Sequence, residues 1–488
     1  MARRLDLILV SVLVFTAVLC VALGAGTVGP AIVVAPAAAA AVLVTALSID
    51  LRRLVLLLTS AMLALVAYAP AIGVTPENLL YGLPLYGEVW GGLTPLELIL
   101  IALLGLASVL RVRAGPPPRA TVSLVLFMAF GSLIAVAFLR GNGAAALTEF
   151  RLLLPLFMSF TIGWLLLPGG NTLRWIGFGI LFGVLAGGVR AILLHALHLG
   201  FRYGDFLRVS VDTGDYLFQV FALVWLFLAW LVGGRRWAAI LLPFVTAALI
   251  FSFARGAWMV ALSALTAVIF VGVVLGRGRM RSIGWALPLA AASVLVVAGV
   301  SGEGRRMEER MATVLDWQDH DPNVYRLIET RNAMQSIQEK PWWGGGLGAQ
   351  YRGEVALRRS AHVPITTLVH NNVLWLGLKG GITLAASFTA LLLAVLWVSM
   401  RRGLKAAEPE ARLWYLATFG ILCGYLALSL VGALVQHVRD NVLLGLLLGL
   451  AASSGRETAA VLAQQALQGG GDLHPERPRH PHRIPGRE

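Results

Sequence analysis

The chain has 488 residues, of which 58% are hydrophobic and only 13% charged, and its mean hydropathy is +0.79. That balance excludes a single soluble core and calls for a membrane protein. The net charge of +14 does not mark a nucleic-acid binder, because most basic residues fall in short clusters between apolar runs.

Apolar runs near twenty residues long recur along the chain, each able to cross the roughly 30 Å hydrocarbon layer as a helix that satisfies its own backbone hydrogen bonds. Spans are expected at about 6–26, 28–48, 54–72, 94–110, 121–139, 152–168, 175–195, 215–233, 238–253, 257–276, 283–300, 380–400, 413–435 and 440–455. The fold class predicted is an all-α polytopic transmembrane helix bundle of about 12–14 spans with one large, partly helical loop. Behind Met1-Ala2-Arg3-Arg4, the run from Asp6 to Gly26 is long for a secretory signal and reads as a retained first span. Cys20 and Cys423 both lie inside apolar segments, so neither a disulfide framework nor a zinc site is encoded.

With the N terminus inside, Arg52-Arg53, Arg111 to Arg119, Arg174, Arg235-Arg236, Arg277 to Arg281 and Arg401 to Arg412 all fall on cytoplasmic connections. Alternate loops therefore carry the basic clusters, as the positive-inside rule requires, and the C-terminal tail also ends inside. Four parts follow: helices with short loops over 1–300, an outer loop over 301–369, helices over 370–455, and a disordered tail over 456–488, rich in Gly, Pro, His and Arg.

On the outer side, Val74 to Gly92 has no Lys or Arg and carries Pro76, Tyr81, Pro84, Tyr86 and Trp90, which suits a short interfacial lid. Against the charge rule, Arg140, Arg151, Arg190, Arg202, Arg208 and Arg255 also sit outside or at outer helix ends, where an arginine tends to be paired or functional. Acidic and basic residues otherwise avoid the span centres. The long loop, with nine basic and nine acidic residues, is a solvated folded element. Asp321-Pro322 starts a helix over Asn323 to Lys340 with a partial apolar stripe of Val324, Leu327, Ile328, Met334 and Ile337, ended by Pro341.

Three segments have the residue types for chemistry. Gly344-Gly345-Gly346-Leu347-Gly348 invites a nucleotide-loop reading, but it follows a helix rather than a strand and reads instead as a tight turn that folds the loop back. His370-Asn371-Asn372 stands where the loop returns to an apolar run; such a histidine is either a hydrogen-bonding surface residue or a base. Arg255, in Ser252-Phe253-Ala254-Arg255-Gly256-Ala257-Trp258, occupies a junction too short for an ordinary loop. Its guanidinium either snorkels to headgroups or clamps an anion, its planar fork matching phosphate oxygens two at a time.

In combination these segments resemble the O-antigen ligase and O-antigen polymerase superfamily, membrane glycosyltransferases that use glycans linked to polyprenyl diphosphate at the outer face of the inner membrane. The resemblance runs over roughly residues 140 to 400. It rests on Ser-x-x-Arg-Gly-Ala-Trp around Arg255, where the family more often has Ser directly before Arg; on Tyr325-Arg326-Leu327 leading to Pro341-Trp342-Trp343 and the glycines; and on His370-Asn371 with Gly381 after nine intervening residues. Arg208-Val209-Ser210 with Asp215 is a weaker match, and Arg190 is its rival.

What the resemblance implies is a periplasmic active site in which Arg255, with Arg208 or Arg190, binds the lipid diphosphate and stabilises the charge that leaves. His370 would take the proton of an acceptor hydroxyl. Arg326 either assists the phosphate or pairs with Glu329 one helical turn on. The implied partners are a polyprenyl-diphosphate-linked glycan donor, a glycan or lipid A core acceptor, and membrane lipids, with no nucleic acid. No cofactor or metal is expected. A ligase is expected first, a repeat-unit polymerase is the alternative, and a protein O-oligosaccharyltransferase, with a Ser or Thr acceptor, belongs to the same superfamily. Outside the family, a secondary transporter would place ionisable residues near the midplane, and a scaffold would leave its outer arginines unconverged.

Overall fold

The computed structural model describes residues 51–68, 94–114, 121–166, 170–197, 201–203, 206–208, 216–252, 254–276, 321–351, 369–430 and 434–453, with isolated positions between them. The expected spans at 6–26 and 28–48, most of that at 283–300, the whole Val74 to Gly92 lid and the C-terminal tail lie outside these residues.

The helices are α1 (Leu51–Tyr68), α2 (Pro95–Ala114), α3 (Val122–Leu139), α4 (Gly143–Leu165) and α5 (Gly170–Ala196), then α6 (Tyr216–Leu231), α7 (Arg236–Phe251) and α8 (Arg255–Val274). After these come α9 (Asp321–Glu339), α10 (Asn372–Lys405), α11 (Pro409–Ser429) and α12 (Val438–Ala452). Among the described residues, eight helices are long and apolar enough to cross a membrane, and two shorter apolar helices run over Leu217–Leu231 and Arg236–Ile250. The fold is an all-α polytopic bundle. Its β-structure among the described residues is one small antiparallel hairpin, β1 (Phe201–Tyr203) and β2 (Phe206–Arg208), with Phe201 opposite Arg208 and Tyr203 opposite Phe206.

Inside and outside are both apolar, as lipid demands. On α3, Phe127, Phe130 and Ile134 face the core while Val122, Val125 and Met128 are exposed, so the sequence is hydrophobic all round. Water would drive such a surface to aggregate; acyl chains solvate it. With no hydrophobic force between helices in lipid, contact depends on close packing of small residues. The tightest seam joins α4 to α12, where Gly445 and Gly449 face the backbone carbonyls of Leu156 and Phe160 with no room for a Cβ.

Short links make successive helices alternate in direction. Leu139, Gly143, Ala196, Phe251 and Arg255 therefore share one end, and the start of α10 joins them through the Lys379–Glu149 pair, 2.6 Å, to the start of α4. Arg111, Leu165, Gly170, Lys405 and Pro409 lie at the other end, where Arg235 is paired with Glu410.

Two expected boundaries move, and both for electrostatic reasons. Helix α4 starts at Gly143 rather than near 152 because its polar first turns find partners: Arg151 meets Glu97 at 3.0 Å and Glu149 meets Lys379 at 2.6 Å. Helix α10 starts at Asn372 rather than near 380 for the same reason, since Lys379 is neutralised within it. These charges lie near helix starts rather than at span centres, and so do Arg439 and Asp440 in the first turn of α12, which are buried, with Arg439 Nη2 donating to Ala67 O at 2.9 Å.

Candidate functional site

At the Arg255 end, the glycine-rich segment folds back as a strap set into a break in α10. Gly381 holds φ 73° and ψ −175°, a conformation open in practice to glycine alone, and its Cα faces the backbone of Trp342 and Trp343. Through that break Ile382 N–H donates to Pro341 O at 2.7 Å, while Gly345 and Gly346 N–H donate to Leu378 O and Lys379 O, each at 2.9 Å. Leu347 N–H reaches Ala137 O at 2.8 Å and Gly348 N–H reaches Glu149 Oε2 at 2.6 Å. Gly344, Gly346 and Gly348 all take positive φ. The segment is thus the turn its glycines predict, and with these four amides engaged it has no phosphate cradle to offer.

Helix α9 leads into this strap and packs on α10. Its expected apolar stripe is only partly the one used: Leu327 and Met334 are exposed, while Glu329, Asn332 and Ala333 are buried against the bundle. The reason lies in what Glu329 meets. Its Oε1 accepts from the backbone N–H of His370 at 2.9 Å, and its Oε2 lies 2.9 Å from His370 Nδ1. The glutamate side chain is 2% exposed and the imidazole 33%, so the ring stands at the surface on a buried acidic support. Asn371 next to it caps α10, its Oδ1 accepting from Leu374 N–H at 3.0 Å.

Arg255 is the first residue of α8, and the corner that presents it is locally stapled. Ser252 Oγ donates to Leu249 O at 2.7 Å and accepts from Ala254 N–H at 3.3 Å, and Trp258 Nε1 donates to Leu249 O at 3.1 Å. The serine and tryptophan of the motif therefore shape the turn that carries the arginine. Arg208 ends β2, in the hairpin that follows α5 at the same end of the bundle. Arg190, in the last two turns of α5, lies over the Tyr68 ring at 5.6 Å. Arg326 is half-buried on α9, one turn before Glu329, whose two oxygens serve His370. Among the other arginines expected outside, Arg151 pairs with Glu97, and Arg140 Nη1 donates to Trp343 O at 3.4 Å.

Sequence reasoning missed Glu329 as the partner of His370. The signal was weak, because the two are 41 residues apart and Glu329 sits in a mixed polar stretch. Lys379 carried a stronger one: a lysine inside an otherwise apolar run needs a partner, and Glu149 supplies it.

With this geometry in hand, residues 221–389 match the family whose model is described as O-Antigen ligase. That stretch runs from α6 into α10 and takes in Arg255, Arg326, Glu329 and His370, while Arg190 and Arg208 precede it. The resemblance drawn from the motifs is borne out there, and with the membrane helices it supports a membrane protein of the glycan-transferring ligase and polymerase class. No curated protein matches the chain.

Proposed function

We propose that the chain is an O-antigen-ligase-type glycosyltransferase that moves a glycan from a polyprenyl diphosphate to an acceptor hydroxyl at the periplasmic face of the inner membrane. The observation that carries this is the His370–Glu329 pair at the head of α10, at the same end of the bundle as Arg255, Arg208 and Arg190. The basic clusters at the opposite end support cytoplasmic termini.

In this mechanism His370 Nε2 takes the proton of the acceptor hydroxyl as its oxygen attacks the anomeric carbon. The bond from that carbon to the diphosphate oxygen breaks, and the electron pair leaves with the lipid diphosphate. Arg255, with Arg208 or Arg190, stabilises the charge that develops there; guanidinium donors aimed at a leaving oxyanion in a water-poor site contribute about 3–4 kcal/mol each when preorganised. The first amides of α8 beside Arg255 add the positive end of a helix.

Glycan transfer in proteoliposomes tests the reading, with a polyprenyl-diphosphate glycan as donor and lipid A core or a second donor as acceptor. Product on lipid A core in wild type, lost in His370→Ala and reduced in Arg255→Ala more than in Arg255→Lys, is the expected result. Product on the second donor instead makes the chain a polymerase. Wild-type turnover in His370→Ala removes the base, and no transfer to any acceptor rejects the reading.

A further inference from the structure

We infer that Glu329 is a positioning residue for His370, selecting the tautomer in which Nδ1 carries the hydrogen and Nε2 the lone pair that takes the acceptor proton; this rests on the glycan-transfer reading above. One carboxylate receives two groups of the same residue, the backbone N–H at 2.9 Å on Oε1 and Nδ1 at 2.9 Å on Oε2. A carboxylate only accepts, so the ring nitrogen facing it carries the hydrogen. In the neutral imidazole the other nitrogen, Nε2, then holds the lone pair. When Nε2 receives the acceptor proton, Nδ1 keeps its own, and the buried negative charge of Glu329 stabilises the imidazolium without being protonated itself.

The geometry separates this role from one of merely holding the chain. The backbone after His370 is fixed independently, because Asn371 caps α10 and its Nδ2 donates to Leu430 O at 2.8 Å. Asn372 ties in deeper still, donating to Ser429 Oγ at 3.0 Å and accepting from Val435 N–H at 3.0 Å. Helix α9 has its own purchase on α10 through buried Asn332 and Ala333 and through Ile337 beside Gly377. What Glu329 adds is direction of the ring. It arrives on the outer loop while His370 heads α10, so the base is complete only when α9 is docked.

The test uses the full chain in proteoliposomes with a polyprenyl-diphosphate glycan donor. Glu329→Gln, which presents an amide N–H where an acceptor is needed, is expected to lower kcat by about 10²–10⁴-fold, with KM within about 3-fold. In a His370→Ala background the same change should cost nothing further, since a residue acting through another is silent once that other is gone. Solid-state ¹⁵N spectra of histidine-labelled protein, with the His370→Ala spectrum subtracted, should show Nδ1 protonated in wild type and a shifted population in Glu329→Gln. An active wild type matched by Glu329→Gln, additive losses in the double variant, or Nε2 protonated in wild type each overturn the inference. A wild type that transfers from no such donor overturns the function reading and the catalytic half of this one, while the nitrogen spectrum still decides the tautomer.

Discussion

Lys379 and Glu149 form an ion pair at 2.6 Å between α10 and α4, with the lysine fully buried and the glutamate 12% exposed. The lysine also donates to Ala349 O at 2.6 Å and lies 5.7 Å from the Trp375 ring centroid, and the glutamate also accepts from Gly348 N–H. One pair thus fastens two membrane helices and the end of the strap.

Removing either partner leaves the other charged in a dry site, which costs about 3–5 kcal/mol. The two losses are unequal. Glu149→Ala strands a fully buried ammonium and a backbone amide, whereas Lys379→Met strands a carboxylate with some access to solvent and its Gly348 bond intact. Thermal unfolding in detergent should therefore rank wild type above Lys379→Met and Lys379→Met above Glu149→Ala; the reverse order would mean that the strap contact is dispensable.

Gly381→Ala tests the break in α10. A Cβ there would press on the backbone of Trp342 and Trp343, and φ 73° with ψ −175° is unfavourable for any side chain. The expected cost is about 1–3 kcal/mol from backbone strain alone, and more from displacement of the strap. Proteolysis between Pro341 and Ala349 should quicken in this variant and not in Gly105→Ala, where a new Cβ meets nothing.

At the α4–α12 seam, Gly449→Ala sets a methyl against the Phe160 carbonyl, and backbone on both sides leaves little to give. Overpacking of this kind costs about 1–3 kcal/mol. Because Phe160 and Gly449 lie toward the end remote from His370, the lowered unfolding temperature should come with little change in KM for the glycan donor.

Much of the bundle was legible in the chain because lipid leaves few choices: an apolar run of that length must be helical, and described helices answer the expected spans from about 54–72 to 440–455, with only the span at 283–300 mostly undescribed. The starts of α4 and α10 were not legible, since both begin in polar residues whose partners lie 54 and 230 positions away. Residue by residue, the motif around Arg255 foretold a tight corner, and His370 was legible only as the point where the loop returns to an apolar run. The link from Glu329 to His370 was hidden, because periodicity assigns faces by hydrophobicity and α9 turns a charged residue inward for the sake of one histidine.

On the proposed mechanism the arginines expected outside divide into structural and functional sets, and the division is measurable. Arg151 is held by Glu97, whose carboxylate also closes a capping box, accepting from Thr94 N–H at 2.7 Å while Thr94 Oγ1 accepts from Glu97 N–H at 3.2 Å. Truncation by Arg151→Ala leaves Glu97 buried with less compensation and should cost about 1–3 kcal/mol of stability. Its effect on glycan transfer per folded molecule should be small, because its charge is already spent on Glu97. Arg255→Ala should show the opposite pattern, near-normal unfolding with transfer reduced about 10²–10³-fold, the loss expected when a donor to a leaving oxyanion is removed. Unfolding temperature and turnover measured on both variants decide this, and a large loss of turnover in stable Arg151→Ala would move Arg151 into the diphosphate site.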